Sequence, residues 1–142
     1  MGSKRFPMCS KWERQVIVQM TTRQQILFVD DSAFTLRYHA ELAKTIGIDV
    51  LTAQGGEKAI QIFEQFQPSL VLCDIMMPDM DGYEVLEILK ESKPDIVFYL
   101  ISAEYNSVMM AKANALGAAG LLTKPLTLEM FQKLLIPKTE KG

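Results

Sequence analysis

The sequence is poor in the residues that build disulfide scaffolds and soft-metal sites. It holds two cysteines, one histidine and one tryptophan among 142 residues. Cys9 and Cys73 have neither the number nor the spacing of a disulfide framework or a zinc site. Cys73 lies in an apolar run and reads as a small buried residue. This sparing use of cysteine points to a reducing, cytoplasmic setting. Charge of one sign is not in excess: 15 Lys and Arg stand against 17 Asp and Glu, a net −2. Such a balance gives no basic footprint for direct binding of nucleic acid. No apolar run approaches the roughly 20 residues of a membrane-spanning helix. Val16-Ile17-Val18 is too short for the core of a signal peptide.

What is present is a chain of globular composition, 49% hydrophobic, long enough for one domain with a substantial core. Residues 1–24 are expected to form an N-terminal tail, tag-derived or disordered, or else a short element packed on the domain. The folded domain is expected over residues 25–136, with a C-terminal tail at 137–142 that begins at Pro137. No internal repeat or low-complexity segment interrupts it.

Apolar runs of strand length alternate with segments of helical spacing. Ile26-Leu27-Phe28-Val29 ends at Asp30-Asp31-Ser32, and Ser32 is a plausible N-cap for a helix over Ala33–Ile46 that Gly47 closes. Asp49–Ala53 is a short strand, broken by Gly55-Gly56. A helix marked by Ala59, Ile60, Ile62, Phe63 and Phe66 stops before Pro68. Leu70-Val71-Leu72-Cys73 ends on Asp74 and enters the turn-rich run Ile75-Met76-Met77-Pro78-Asp79-Met80-Asp81-Gly82. A helix with Val85, Leu86, Ile88 and Leu89 follows. Ile96–Ile101 is the fourth strand, leading to Ser102-Ala103. Glu104–Leu116 is the fourth helix, Gly120–Thr123 the fifth strand, and Thr127–Leu135 the last helix. Strict β–α alternation implies an α/β fold: a five-stranded parallel sheet with helices on both faces.

Four strand ends carry polar groups: Asp30 with Asp31, Asp74, Ser102 and Lys124. In a parallel sheet all of them fall on the carboxyl edge, where open α/β sheets bind ligands. Singly, each has an ordinary reading. Acids favour helix N-termini, Ser102 is a strand-end hydroxyl, and Lys124 is a surface lysine. Asp79 and Asp81 read as turn formers. His39, the single histidine, falls near the apolar face of its helix and reads as a packed or partly exposed side chain, not as a ligand or reacting group. Jointly, the four strand ends put three carboxylates, a hydroxyl and an amine within reach of one another, an arrangement much harder to reach by chance than any one such ending.

These pieces resemble the receiver domain of two-component response regulators, of which the bacterial chemotaxis regulator is a single-domain example. The matching segments are Asp30-Asp31-Ser32, the run from Asp74 to Gly82, Ile101-Ser102-Ala103, Gly117-Ala118 and Thr123-Lys124-Pro125. The resemblance implies a flavodoxin-like fold with strand order 2-1-3-4-5. It implies that Asp74 is the phosphoacceptor, taking a phosphoryl group from a histidine kinase or phosphotransfer protein. It implies Mg²⁺ as cofactor, held by Asp31 and Asp74, by Asp30 through water and by the Met76 backbone carbonyl. Lys124 would pair with Asp74 and then with a phosphoryl oxygen, Ser102 would hydrogen-bond another, and small Ala103 would leave room. Such a module catalyses only its own phosphorylation and dephosphorylation, and passes the signal to a downstream protein or a fused output domain.

The match departs at Leu121. An aromatic residue often stands three positions before the lysine in the family and swings with the hydroxyl residue. Its absence leaves a second reading, a pseudo-receiver acting as a constitutive protein-interaction module. An aspartyl-phosphate phosphatase of another α/β family is disfavoured, because Met76 stands where such enzymes carry a second acid. The output surface is expected around the fourth helix and fifth strand, where Met109 and Met110 suit either adaptable binding or core packing.

Overall fold

The computed structural model describes residues 25–135, so both expected tails, with Cys9, lie outside the described residues. The strands are β1 (Ile26–Asp30), β2 (Val50–Gln54), β3 (Leu70–Asp74), β4 (Val97–Ser102) and β5 (Gly120–Thr123). The helices between and after them are α1 (Ala33–Lys44), α2 (Gly56–Phe66), α3 (Gly82–Ser92), α4 (Ser107–Ala115) and α5 (Leu128–Leu135). The sheet order is β2-β1-β3-β4-β5, every pairing parallel. This is the expected doubly wound arrangement.

Both faces of the central strands are covered, which is why β1 and β3 read as unbroken apolar runs. Side chains still alternate along them. Ile26, Phe28, Leu70 and Leu72 pack with Leu36 and Ala43 of α1 and Phe131 of α5. Leu27, Val29, Val71 and Cys73 face the other way, into α2, α3 and α4 through Ala59, Phe63, Val85, Leu86, Leu89 and Ala113. Met109 and Met110 pack against this second core. Asp30 and Asp74 continue the alternation on the α1/α5 side. The β1–β3 register runs from Ile26↔Leu70 to Val29↔Cys73, so one step further sets Asp30 beside Asp74.

Several boundaries differ from those read in the sequence. The first helix stops at Lys44, not Ile46, and a turn through Gly47 (φ +80°) leads to β2. The second begins earlier, at Gly56. The fourth helix begins at Ser107, not Glu104, because the Asn106 side chain accepts the Met109 N–H at 2.8 Å and caps it there. That lengthens the loop after β4. The fourth strand runs one residue later than expected, so Ser102 belongs to it and pairs with Thr123.

Ser32 caps α1 as expected, accepting the Thr35 N–H at 3.2 Å. Asp81, read as a turn former, makes a capping box with Glu84 at the start of α3. Gly82 must be glycine: a Cβ there would lie 2.5 Å from the Asp74 carbonyl oxygen and 2.9 Å from Ile75 Cα. This close approach folds the start of α3 against the end of β3.

Asp79 does more than form a turn. Gly55 precedes α2 and has no side chain to cap it. Asp79 supplies the cap from across the molecule, accepting the Gly56 N–H at 3.3 Å and the Glu57 N–H at 3.1 Å. The Glu57 N–H is the main reason its carboxyl is held below the usual range. Asp79→Ala is expected to cost about 1 kcal/mol of unfolding free energy in urea titrations at neutral pH. A carboxyl depressed in the folded state contributes stability above its ordinary value and loses it as pH falls through the folded value. The gap between wild type and variant should therefore close in strong acid.

Candidate functional site

The carboxyl edge of the sheet gathers three acids. Asp30 and Asp74 are each 4% exposed, and Asp31 beside them is open to solvent. One ligand oxygen from each lies within 4.8 Å of the others. Opposite ligands on a Mg²⁺ ion stand about 4.2 Å apart, so a small adjustment would let this trio share such an ion. The donor set is all oxygen, as hard divalent cations require.

Lys124, on the turn after β5, reaches across two strands. Its Nζ lies 2.9 Å from Asp30 Oδ2 and 3.1 Å from Asp74 Oδ2. The sequence reading paired it with Asp74; the structure makes it a bridge between both acids. Asp30 also accepts the Ser32 N–H at 2.9 Å. That bond follows from the chain turning directly from β1 into α1. Asp74 Oδ1 accepts the Met76 N–H at 3.4 Å, which brings the Met76 peptide beside the carboxylate, while the Met76 side chain is exposed.

The electrostatics follow from this crowding. Burial, and after it the Asp30 charge, push the Asp74 carboxyl up, and Lys124 offsets them only in part. Burial opposes the charge on Lys124, but hydrogen bonds to Asp30 and Asp74 outweigh it and hold the ammonium more firmly protonated. Three carboxylates against one ammonium leave an excess of negative charge, which is the condition that favours a cation.

Ser102 is buried on the next strand. Its Oγ accepts the Glu104 N–H at 3.2 Å and is not joined to Asp74 or Lys124. The connection is through backbone: the Lys124 N–H donates to the Ser102 carbonyl at 2.9 Å. Leu121 is a buried core residue. His39 is packed as expected, but with a partner no sequence pattern announces, the Leu126 N–H.

A sequence model of the response regulator receiver domain matches residues 26–136. The chain belongs to the response regulator receiver family. Receivers are the phosphoacceptor modules of two-component phosphorelays, and this one carries the fold and an acidic edge to match. It is 33% identical over 129 residues to the probable transcriptional regulator ycf27 of Guillardia theta, covering 88% of this chain and 50% of that protein. It is 31% identical over 107 residues to a cyclic di-GMP phosphodiesterase of Thermotoga maritima, covering 75% of this chain and 28% of that one. The receiver thus spans half or less of these two relatives. Among solved structures, the CheX–CheY–BeF₃–Mg²⁺ complex of Borrelia burgdorferi matches with a TM-score of 0.73 at 26% identity, over 80% of this chain and 90% of that one. Among the described residues, no helix of this receiver is long and apolar enough to cross a membrane.

Proposed function

We propose that Asp74 is the phosphoacceptor of this receiver and that Asp30, Asp31 and Lys124 make it reactive. The observation that carries the reading is the convergence of three carboxylates, with oxygens within 4.8 Å, under one lysine that touches two of them. Asp31 and Asp74 would hold Mg²⁺ directly, Asp30 through water, and the Met76 carbonyl would supply a further oxygen. When bound, the cation offsets the negative charge that gathers on the transferring phosphoryl group.

The residues divide the work. A carboxylate oxygen of Asp74 attacks phosphorus as the N–P bond of a partner's phosphohistidine breaks, and the imidazole nitrogen keeps the electron pair. Lys124, already held at the rim, follows the new charge to a phosphoryl oxygen. Ser102 gives up its contact with the Glu104 N–H to donate to another. Ala103, small and exposed, leaves space for the group.

The phosphorylated form carries about two extra negative charges at the end of β3. They pull on Ser102 and Lys124, and so on the turns leading into α4 and α5. Leu121 offers no aromatic ring to swing, so output travels through these turns. The donor is a histidine kinase or phosphotransfer protein, and the recipient is a downstream protein or a fused output domain, in a cytoplasmic setting. The module turns over only its own phosphoryl group. The pseudo-receiver alternative rests on Leu121 alone, and its burial in the core gives that alternative nothing further.

Incubation with Mg²⁺ and acetyl phosphate tests the reading. The expected product is one acid-stable, base-labile phosphoryl group per chain, seen by intact-mass spectrometry and lost on adding a chelator beforehand. A folded wild type that gains no such mass overturns it.

A further inference from the structure

We propose that His39 is a positioning residue for phosphoryl transfer, holding the turn that presents Lys124 to Asp74. The inference rests on the phosphoacceptor reading above and adds a residue to it. His39 stands on α1, remote in sequence from the lysine, and is 2% exposed. A histidine so buried must satisfy its ring nitrogens within the protein. Its Nε2 accepts the Leu126 N–H at 3.0 Å. An acceptor nitrogen carries no proton, so the proton sits on Nδ1, where a backbone hydrogen bond with Thr35, one helical turn earlier, is available. Burial holds the ring neutral, as this bond requires.

The bond matters because of what else holds the turn. Between β5 and α5 the chain runs Lys124-Pro125-Leu126-Thr127. Pro125 has no N–H to give. Lys124 donates its own to the Ser102 carbonyl at 2.9 Å, and Leu126 donates to His39. These two bonds therefore fix the backbone on either side of the proline, and His39 provides one of them. The ring is itself fixed. It stacks on Phe28 with centroids 5.0 Å apart and planes 8° from parallel, and Phe131 of α5 meets the same Phe28 edge-on at 5.6 Å. Phe28 lies two residues before Asp30 on β1, and Leu126 two residues after Lys124. One ring thus ties together the backbones that carry both members of the Lys124–Asp30 pair.

Lysine is a flexible point charge on a long stem, so where its ammonium rests depends on where its Cα is held. A misplacement of about 1 Å can cost up to a hundredfold in rate. Loss of one of these two hydrogen bonds, with the Leu126 side chain still buried in the core and the ion pairs still pulling, should cost less, about tenfold.

Three His39 variants, one of them also in a Lys124→Ala background, test this in the full chain, using acetyl phosphate with Mg²⁺ and timing the gain of one phosphoryl mass. His39→Leu fills the space without an acceptor, and His39→Asn carries its acceptor too near the backbone to reach Leu126. His39→Gln places an oxygen close to the Nε2 position. Leu and Asn are expected to slow labelling about tenfold and to strip the Leu126 amide of its hydrogen-exchange protection. Gln is expected to restore both. In a Lys124→Ala background, His39→Leu should slow labelling no further. Wild-type rates in the Leu and Asn variants would overturn the proposal, as would equal slowing with and without Lys124, or a Gln variant no better than Asn. If Leu does not fold, the Asn–Gln pair decides. A wild type that takes no label overturns the phosphoacceptor reading itself. Labelled wild type with indifferent His39 variants overturns only this inference.

Discussion

Asp74→Asn is expected to take no phosphoryl group from acetyl phosphate, yet to unfold at a higher temperature than the wild type in metal-free buffer. The two effects have one origin. The wild-type carboxyl is buried beside Asp30, and burial and that neighbour raise its pKa above the usual 3.8. A folded-state value raised above the unfolded one means that the folded chain binds the proton more readily. Ionised Asp74 therefore destabilises the fold at neutral pH, and this penalty fades as pH falls through the raised value towards 3.8. Asparagine keeps an oxygen for the Met76 N–H and leaves Asp30 to Lys124, while the repulsion goes. The advantage of Asn over Asp in thermal melts should thus be largest at neutral pH and shrink in acid. Added Mg²⁺ should stabilise the wild type more than the variant, because one carboxylate of the trio is gone. A variant that still gains a base-labile phosphoryl mass would show that the acceptor lies elsewhere.

Lys124→Ala should act in the opposite sense on stability. The lysine side chain is 24% exposed, and the two carboxylates it bridges are 6% exposed. Removing one partner of a buried ion pair costs several kcal/mol, because the other charge stays buried without compensation. Here the lysine keeps some contact with solvent, so about 2–3 kcal/mol is expected for the metal-free protein. A divalent cation would then stand in for the missing charge. Mg²⁺ should raise the melting temperature of Lys124→Ala by more than it raises that of the wild type, with tighter apparent binding. Acyl-phosphate formation should nonetheless slow, since Lys124 is the group proposed to meet the phosphoryl oxygen. A variant as stable as the wild type, with unchanged response to Mg²⁺, would reduce Lys124 to an ordinary surface lysine.

Much of this was legible in the chain because the signals are local. Short apolar runs ending in acids, Ser32 ahead of a helix and Pro68 after one each act within a few residues. Parallel β–α alternation then leaves little freedom: it sends every strand end to one edge, so Asp30, Asp31, Asp74, Ser102 and Lys124 had to be neighbours in some arrangement. The start of α4 moved from its expected place for an equally local reason. Asn106 outcompetes Glu104 as the place to begin α4 because its short amide oxygen accepts the N–H of Met109, three residues on.

Three things were decided only by the tertiary structure. Lys124 pairs with Asp30 as well as Asp74, because the register of β1 on β3 sets the two acids side by side. Asp79 caps a helix 22 and 23 residues away in sequence, and its run of Pro, Asp and Gly suggested no more than a turn. His39 meets the Leu126 amide across 87 residues, a contact that helical spacing on α1 cannot reveal. The amino-acid order by itself determined the alternation of elements and which residue types stand at the strand ends, since backbone sterics and apolar periodicity operate over one or two turns of chain. The partners of those residues depend on strand register and helix docking, which are settled only when segments far apart in sequence bury their faces against one another.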